Sequence, residues 1–276
     1  MSDDVLESLP DALQEVRILR HSPGGVEDCA DEVAEEVPVA LVFNGISHAV
    51  MMATPADLDC FALGFALSEG IVKDRHEVFD IEVLPHADGV EVQLQIAQSA
   101  FACLKAHRRS LTGRTGCGVC GTESLGLLDL TPERVSAAPT FELDHPRLQR
   151  ILEGLPAQQA LTRATGCAHA AAWCDAQGEI VRVFEDVGRH NALDKLFGWM
   201  AKSGVAPSSG LVFLTSRASY ELVRKCARMN VPVLATISAP TTLAIRIAHA
   251  AGIRLLSFCR QNGFVEYPAT DVTPSR

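Results

Sequence analysis

The sequence has no excess of positive charge, no long apolar run and no internal repeat, and each absence removes a class of function. Lys and Arg number 24 against 34 Asp and Glu, giving a formal net charge of −10 and a pI near 5.4. General binding to a nucleic-acid backbone needs a basic face, so no nucleic-acid partner is expected; a local basic pocket for one small anion stays open. No stretch approaches the roughly eighteen uncharged apolar residues of a spanning helix. The nearest, residues 241–256, is broken by Arg246 and Arg254, so no membrane partner is expected. The opening residues 1–16 carry Asp3, Asp4, Glu7, Asp11 and Glu15 and no Lys or Arg, the opposite of a secretory n-region. The nine cysteines, an odd number, then read as reduced thiols rather than a disulfide framework. A cytoplasmic location is expected.

What is present is an ordinary globular composition: 47% apolar and 21% charged residues, with a mean hydropathy of +0.14. Residues 27–36 hold six acids in ten, the mark of a solvated segment, so residues 1–36 read as an acidic flexible arm. Order is expected to begin at Val37. Residues 37–43 form a short apolar run ended by Asn44-Gly45, a tight-hairpin dipeptide, with Val50 and Met52 on the return strand. Thr54-Pro55-Ala56-Asp57 predicts a helix start, Thr54 as N-cap and Pro55 at the first position. Leu58, Phe61 and Phe65 then bury one face, and Gly70 is the stop. Residues 81–84 and 90–96, joined through Asp88-Gly89, read as a second hairpin.

The second half changes rhythm. Strands over 179–184, 211–215, 231–237 and 253–258 alternate with helices over 189–200, 218–229 and 242–251. Near-continuous apolar strands between helices indicate a parallel sheet covered on both faces. Pro132, Pro139 and Ala137-Ala138 interrupt the periodicity, which divides the chain into a mixed α+β domain over 37–133 and an α/β domain over 134–276.

The sharpest chemical feature is Gly113-Arg114-Thr115-Gly116-Cys117-Gly118-Val119-Cys120-Gly121 at the end of the first domain. Four glycines leave little side-chain bulk around two thiols. His107, Arg108, Arg109 and Arg114 favour thiolate over thiol. Three readings compete. Structural zinc needs a second close Cys/His pair, and Cys167, His169 and Cys174 lie some fifty residues away in unlike spacing, so no metal is expected. A thioredoxin-like dithiol would open a helix, which flanking glycines oppose. A persulfide carrier suits a thiolate on an unencumbered loop, and the glycine and arginine surroundings favour it.

Four polar clusters follow strands of the inferred sheet: residues 185–195, Thr215-Ser216-Arg217-Ala218-Ser219, Ser238-Ala239-Pro240-Thr241-Thr242 and Phe258-Cys259-Arg260-Gln261-Asn262-Gly263. In a parallel sheet these ends share one edge, where α/β folds bind ligands. Helix N-termini and Arg189, Arg217 and Arg260 would there make a pocket for a phosphate-bearing ligand. Each cluster also has a plainer reading: Asp186, Ser216 and Thr241 as helix caps, the arginines as solvated. In Thr165-Gly166-Cys167-Ala168-His169, the histidine beside an apolar helix start reads as a core residue. Cys29, Cys60, Cys103, Cys174 and Cys226 read as small apolar or incidental residues.

Taken together, Asn44-Gly45, Thr54-Pro55-Ala56-Asp57-Leu58, Gly64-Phe65, Ser68-Glu69-Gly70, the Cys-Gly-Val-Cys-Gly loop, Glu185-Asp186-Val187-Gly188-Arg189-His190-Asn191-Ala192-Leu193-Asp194-Lys195 and Ser238-Ala239-Pro240-Thr241 give a chain that resembles the formate dehydrogenase accessory sulfurtransferase family, FdhD. The resemblance runs from Val37 to Tyr267. It implies a cytidine-deaminase-like α/β/α second domain; His169-Ala170-Ala171 lacks the glutamate of a working deaminase and residues 215–219 lack its cysteines. It also implies that persulfide sulfur from a cysteine desulfurase passes to the Mo-bis(molybdopterin guanine dinucleotide) cofactor, bound as substrate, to activate the formate dehydrogenase catalytic subunit. Cys117 matches the persulfide cysteine and Cys120 the second thiol. Phe258, Cys259, Arg260, Gln261, Asn262 and Gly263 match the cofactor segment, and Arg189, His190, Arg217 and Thr241 would complete a guanine-nucleotide rim. Thr215-Ser216 stands where Ser-Gly is expected, and Gln261-Asn262-Gly263 is an uncommon variant of a basic, glycine-rich segment. A homodimer is expected. The alternative is a cofactor-binding chaperone that performs no sulfur chemistry, its dithiol loop passive or metal-binding.

Overall fold

The computed structural model describes residues 8–109 and 131–268 of the chain. Order begins well before Val37. Strands β1 (Leu13–Ser22) and β2 (Gly25–Ala34) pair antiparallel over their full lengths, with Leu13 opposite Ala34 and Ser22 opposite Gly25. The arm expected over residues 1–36 is therefore corrected to a β-ribbon across 13–34. Its acids are exposed, as their density required, while Val16, Ile18 and Cys29 are half-buried on one side. Acidic residues are poor strand formers alone; cross-strand pairing, including Arg17 with Asp28, supplies what propensity lacks.

A four-stranded sheet follows, in the order β4-β3-β6-β5, from β3 (Val37–Phe43), β4 (Ile46–Ala53), β5 (Val78–His86) and β6 (Gly89–Ile96). Both expected hairpins form, and β3 runs parallel to β6. The first turn has φ of 46° at Asn44 and 79° at Gly45, the paired positive values a two-residue hairpin requires. Asn44 does more than turn the chain. Its side-chain amide donates to Ile96 O at 2.9 Å and its Oδ1 accepts from Ile96 N at 2.7 Å, which splices the turn onto the end of β6.

Helix α1 (Leu58–Ser68) covers this sheet, and α2 (Gln98–Arg109) packs Phe101 and Leu104 against the same core. The start of α1 differs from expectation. It begins at Leu58 after Asp57, whose φ is 54°, and neither Thr54 nor Pro55 is helical. Thr54 is buried and spends its polar groups elsewhere, as described below. Burial is also wider than one face: in α1 only Asp59 escapes it, because a second helix lies against the side away from the sheet.

The second sheet has six strands in the order β12-β11-β10-β9-β7-β8. They are β7 (His169–Asp175), β8 (Ile180–Asp186), β9 (Gly210–Leu214), β10 (Val233–Thr236), β11 (Arg254–Arg260) and β12 (Gly263–Glu266). Only β9, β10 and β11 are parallel neighbours; β7 runs antiparallel to both β8 and β9, and β12 antiparallel to β11. The wholly parallel sheet read from the sequence is corrected accordingly. So is the reading of residues 169–172 as a helix start. Ala170, Ala171 and Ala172 are at most 2% exposed on β7, between β9 and the edge strand β8, with helices packed on both faces. Because two antiparallel steps restore direction, β8 still points the same way as β9 to β11.

Helices α5 (Arg189–Ser203), α6 (Tyr220–Arg228) and α7 (Thr242–Ala251) cover one face, and α3 (His145–Gln158) the other. The short α4 (Ala160–Thr165) leads into β7 and touches β2. The chain is thus an α/β protein with an N-terminal α+β part and a C-terminal α/β/α part. The parts meet where α1 crosses α5 backbone to backbone. A Cβ on Gly64 would lie 1.7 Å from Asp194 O, and one on Gly198 1.9 Å from Cys60 O. Only glycine permits that approach.

Candidate functional site

The shared direction of β8, β9, β10 and β11 brings their carboxyl ends to one edge, and backbone hydrogen bonds lace the loops there side by side. Ile237 N donates to Leu214 O, Thr241 N to Ala218 O and Phe258 N to Ser238 O, at 3.0, 3.1 and 3.3 Å. Beside them β7 begins: Thr215 N donates to Ala170 O at 3.1 Å, and Thr215 Oγ1 accepts from Ala170 N at 2.8 Å. His169 pairs in register with Asp186, so it sits between the Arg189 loop and the Arg217 loop.

The edge is electropositive. Burial, followed by the nearby Arg189 and Arg217 charges, holds the His169 imidazole below its ordinary range. Burial and Arg189 push His190 down to about 4. Both shifts favour the neutral imidazole, a hydrogen-bonding group beside fixed cations. Arg189 Nε, His190 Nε2 and Ser219 Oγ are buried yet have no hydrogen-bond partner among the described residues. A buried donor left open costs about 1–3 kcal/mol, and a ligand with acceptor atoms removes that cost.

The expected rim residues do not all serve alike. Thr241 Oγ1 accepts from Ala244 N at 3.1 Å and is the N-cap of α7. Cys259 is fully buried in the core under α3, and burial pushes its thiol up to about 12, so its side chain faces away from solvent. Phe258 has φ of 53° and is 38% exposed, with the Arg260 guanidinium 5.9 Å from its ring centre. Gln261 and Asn262 are the exposed turn into β12, and Gly263 has φ of 125°. Arg217 is exposed. Four strand steps separate β8 from β11, about 19 Å at the usual spacing, so Arg189 and Arg260 cannot grip one phosphate. A ligand that engages both would have to be elongated. Cys117, Cys120 and the rest of the glycine-rich loop lie outside the described residues.

Much of the 185–195 motif does structural work. Lys195 Nζ lies 2.7 Å from Asp186 Oδ2 with both side chains wholly buried. Asp186 also accepts from Gly188 N at 2.8 Å, Asn191 Nδ2 at 2.9 Å and Thr54 N at 3.1 Å. Thr54 O accepts from Lys195, and Thr54 Oγ1 accepts from Val187 N. Thr54 is thus the hub joining the first sheet to α5, which is why it caps no helix. Glu185 accepts from Leu161 N and Thr162 N, both at 2.8 Å, and closes the start of α4. A second buried cluster joins Lys225 to Asp194 at 2.9 Å, Glu69 at 2.8 Å and Ser68 at 2.8 Å. Burial opposes the Lys225 charge, but Asp194 and Glu69 outweigh it and hold the ammonium above its ordinary range.

Sequence reasoning missed two features of the edge. His169 read as a core histidine because alanines follow it, yet it opens β7 at the rim. Cys167, two residues earlier, is exposed there. The signal for both was the glycine at 166, whose φ of 70° ends α4 and turns the chain toward the sheet edge.

Comparison with known proteins identifies the family. The chain is 61% identical over 253 residues to the sulfur carrier protein FdhD of Chromobacterium violaceum, covering 91% of this chain and 94% of that protein. It is 57% identical over 263 residues to the protein of the same name from Burkholderia mallei, covering 94% and 96%. A crystal structure from Desulfotalea psychrophila, described as a formate dehydrogenase accessory protein, superposes with a TM-score of 0.71 at 22% identity, over 94% of this chain and 98% of that one. At that identity the superposition establishes a shared fold. The model of the FdhD/NarQ family matches residues 34–272, which takes in both sheets and the whole rim, and the chain therefore belongs to the FdhD/NarQ family.

Proposed function

We propose that this chain is a sulfurtransferase that carries persulfide sulfur from a cysteine desulfurase to the Mo-bis(molybdopterin guanine dinucleotide) cofactor, needed to activate formate dehydrogenase. The observation that carries the cofactor half is the sheet edge. Arg189, Arg217 and Arg260 are spread along it, and Arg189 Nε and His190 Nε2 are buried without partners among the described residues. A dinucleotide with several phosphates is long enough to engage such a row, and charge-assisted pairs there contribute about 1.5–3 kcal/mol each. The sulfur half rests on relatives named as sulfur carriers and on the glycine-flanked Cys117 and Cys120. In the loading step the Cys117 thiolate attacks the outer sulfur of the desulfurase persulfide. A Cys117 S–S bond forms, the donor S–S bond breaks, and the desulfurase cysteine leaves as thiolate, with no net oxidation.

Of three core clusters among the described residues, one lies under the first sheet and two cover the faces of the second, which supports a domain division near residue 133. The formate dehydrogenase catalytic subunit is the recipient in this reading, and the carrier works as a cytoplasmic homodimer. No helix among the described residues is long and apolar enough to cross a membrane. Intact-mass spectrometry after incubation with desulfurase and cysteine tests the reading. One sulfur atom should be gained, reversibly by reductant, and the gain should vanish in Cys117→Ala. Loss only in Cys120→Ala would move the carrier role to Cys120, and no gain in any form would refute sulfur carriage.

A further inference from the structure

Thr54 directly follows β4 in the N-terminal part and is 1% exposed, yet its polar groups engage the C-terminal part. Its backbone holds the Asp186–Lys195 pair: Thr54 N donates to Asp186 Oδ2 at 3.1 Å, and Thr54 O accepts from Lys195 Nζ at 3.2 Å. Its hydroxyl acts elsewhere. Thr54 Oγ1 accepts at 3.2 Å from Val187 N, a main-chain group of the loop between β8 and α5. Backbone and hydroxyl thus hold different atoms, and the hydroxyl contact can be removed by itself.

The loop it reaches leads straight into the ligand edge. Gly188, the N-cap of α5, offers no side chain to cap the helix. Gly188 N is held by Asp186 Oδ1 at 2.8 Å, and Val187 N by Thr54. A Cβ on Gly188 would lie 2.7 Å from Asn191 Nδ2, and that amide donates to Met52 O at 2.8 Å, so β4 also closes the other side of the turn. Arg189 and His190 follow at once. Arg189 Nε and His190 Nε2 are buried without hydrogen-bond partners among the described residues. No bond of their own fixes those atoms, so their place is inherited from the loop backbone. A charge-assisted, bidentate contact to an oxyanion needs its donors held within about 0.5 Å of the right geometry.

We propose that Thr54 is a positioning residue for the ligand edge: its hydroxyl sets the backbone of Val187 and Gly188 and, through it, the place of the Arg189 guanidinium. This deepens the reading of the edge as the cofactor site and rests on it. At 1% exposure Thr54 cannot touch a ligand itself; it acts through Arg189. The N-terminal part therefore shapes a binding edge built from strands and helices of the C-terminal part. Removing the hydroxyl frees Val187 N, and the loop regains motion that ligand binding must then suppress.

The test uses the full chain and GDP as the probe. Thr54→Val keeps the side-chain shape and loses the acceptor, whereas Thr54→Ser keeps the acceptor. Thr54→Val should weaken GDP binding about fivefold by calorimetric titration, while Thr54→Ser stays within about twofold of the wild type. In an Arg189→Ala background Thr54→Val should cause no further loss, because its effect runs through that residue. The Val187 amide should exchange hydrogen faster in Thr54→Val but not in Thr54→Ser. Ile151→Val, a trim of the core under α3 on the opposite face of the second sheet, should leave GDP affinity unchanged. Thr54→Ala replaces Thr54→Val in every comparison if the latter does not fold. Unchanged affinity or unchanged Val187 exchange in Thr54→Val would overturn the assignment while leaving the edge reading intact. So would an equal loss of affinity in Thr54→Ser or Ile151→Val, or a full further loss in the Arg189→Ala background. No GDP binding by the wild type would refute the edge reading and this one with it.

Discussion

Lys195 Nζ meets Asp186 Oδ2 at 2.7 Å with neither side chain exposed, and both also bind the backbone of Thr54 from the other half of the molecule. This pair is one of two buried polar joints between the parts, the other being Lys225 and Asp194 with Ser68 and Glu69. The Lys195–Asp186 joint sits directly beneath Gly188 and Arg189, so it and the candidate ligand edge share one loop.

Removing one partner of such a pair leaves an uncompensated buried charge, a loss of about 3–5 kcal/mol. Lys195→Met is therefore expected to destabilise the protein by that amount despite adding apolar volume. Urea denaturation of wild type and variant measures it, and a change under about 1 kcal/mol would show the joint to be no stronger than a surface ion pair.

Gly198→Ala separates packing from helix propensity. On an isolated helix, alanine stabilises by up to about 1 kcal/mol relative to glycine. Here the added Cβ would lie 1.9 Å from Cys60 O, and α1 and α5 must move apart. The expected outcome is a loss of about 2–3 kcal/mol, read as a lower urea midpoint. A stabilised variant would show that the two helices are not in backbone contact.

His190 titrates at about 4 in the folded protein against 6.5 as an ordinary histidine, because burial and then Arg189 oppose its charge. Between those values the unfolded chain binds more protons than the folded one, so this residue's contribution falls as pH drops from 6.5 toward 4 and is unchanged above 6.5. His190→Gln is expected to flatten the decline of stability across that window. Denaturant midpoints measured from pH 8 to pH 4 check it, and parallel curves for the two proteins would place the imidazole in solvent.

The edge is expected to bind GDP as a fragment of the cofactor. Arg189→Ala should weaken that binding roughly tenfold, equivalent to about 1.4 kcal/mol, with the fold intact. Binding should also weaken with added salt, since the overall charge of −10 gives no general attraction for anions. Calorimetric titration decides it: no GDP binding by the wild type, or equal affinity in the variant, would show the rim to be misread.

The sequence by itself determined the two hairpins, the succession of strand and helix in the second half, and the edge at which polar loops gather. Those signals are local. Asn44-Gly45 fixes a turn through its own backbone preferences, and an apolar run between helices has few places to go. Tertiary structure decided the rest. Residues 13–34 carry too many acids to read as strands, and only pairing across the ribbon makes them so. Ala170 to Ala172 have high helix propensity, yet they form part of strand β7, paired with β8 and β9 and buried between the helices on the two faces of the sheet. Thr54-Pro55 looks like a helix start, but Thr54 is drawn into the Asp186–Lys195 joint, contributed by residues more than 130 positions away. For the same reason the densest motif, residues 185–195, read as a ligand site and proved half structural. A carboxylate and an ammonium look alike in sequence whether they face a ligand or each other, and only burial distinguishes the two.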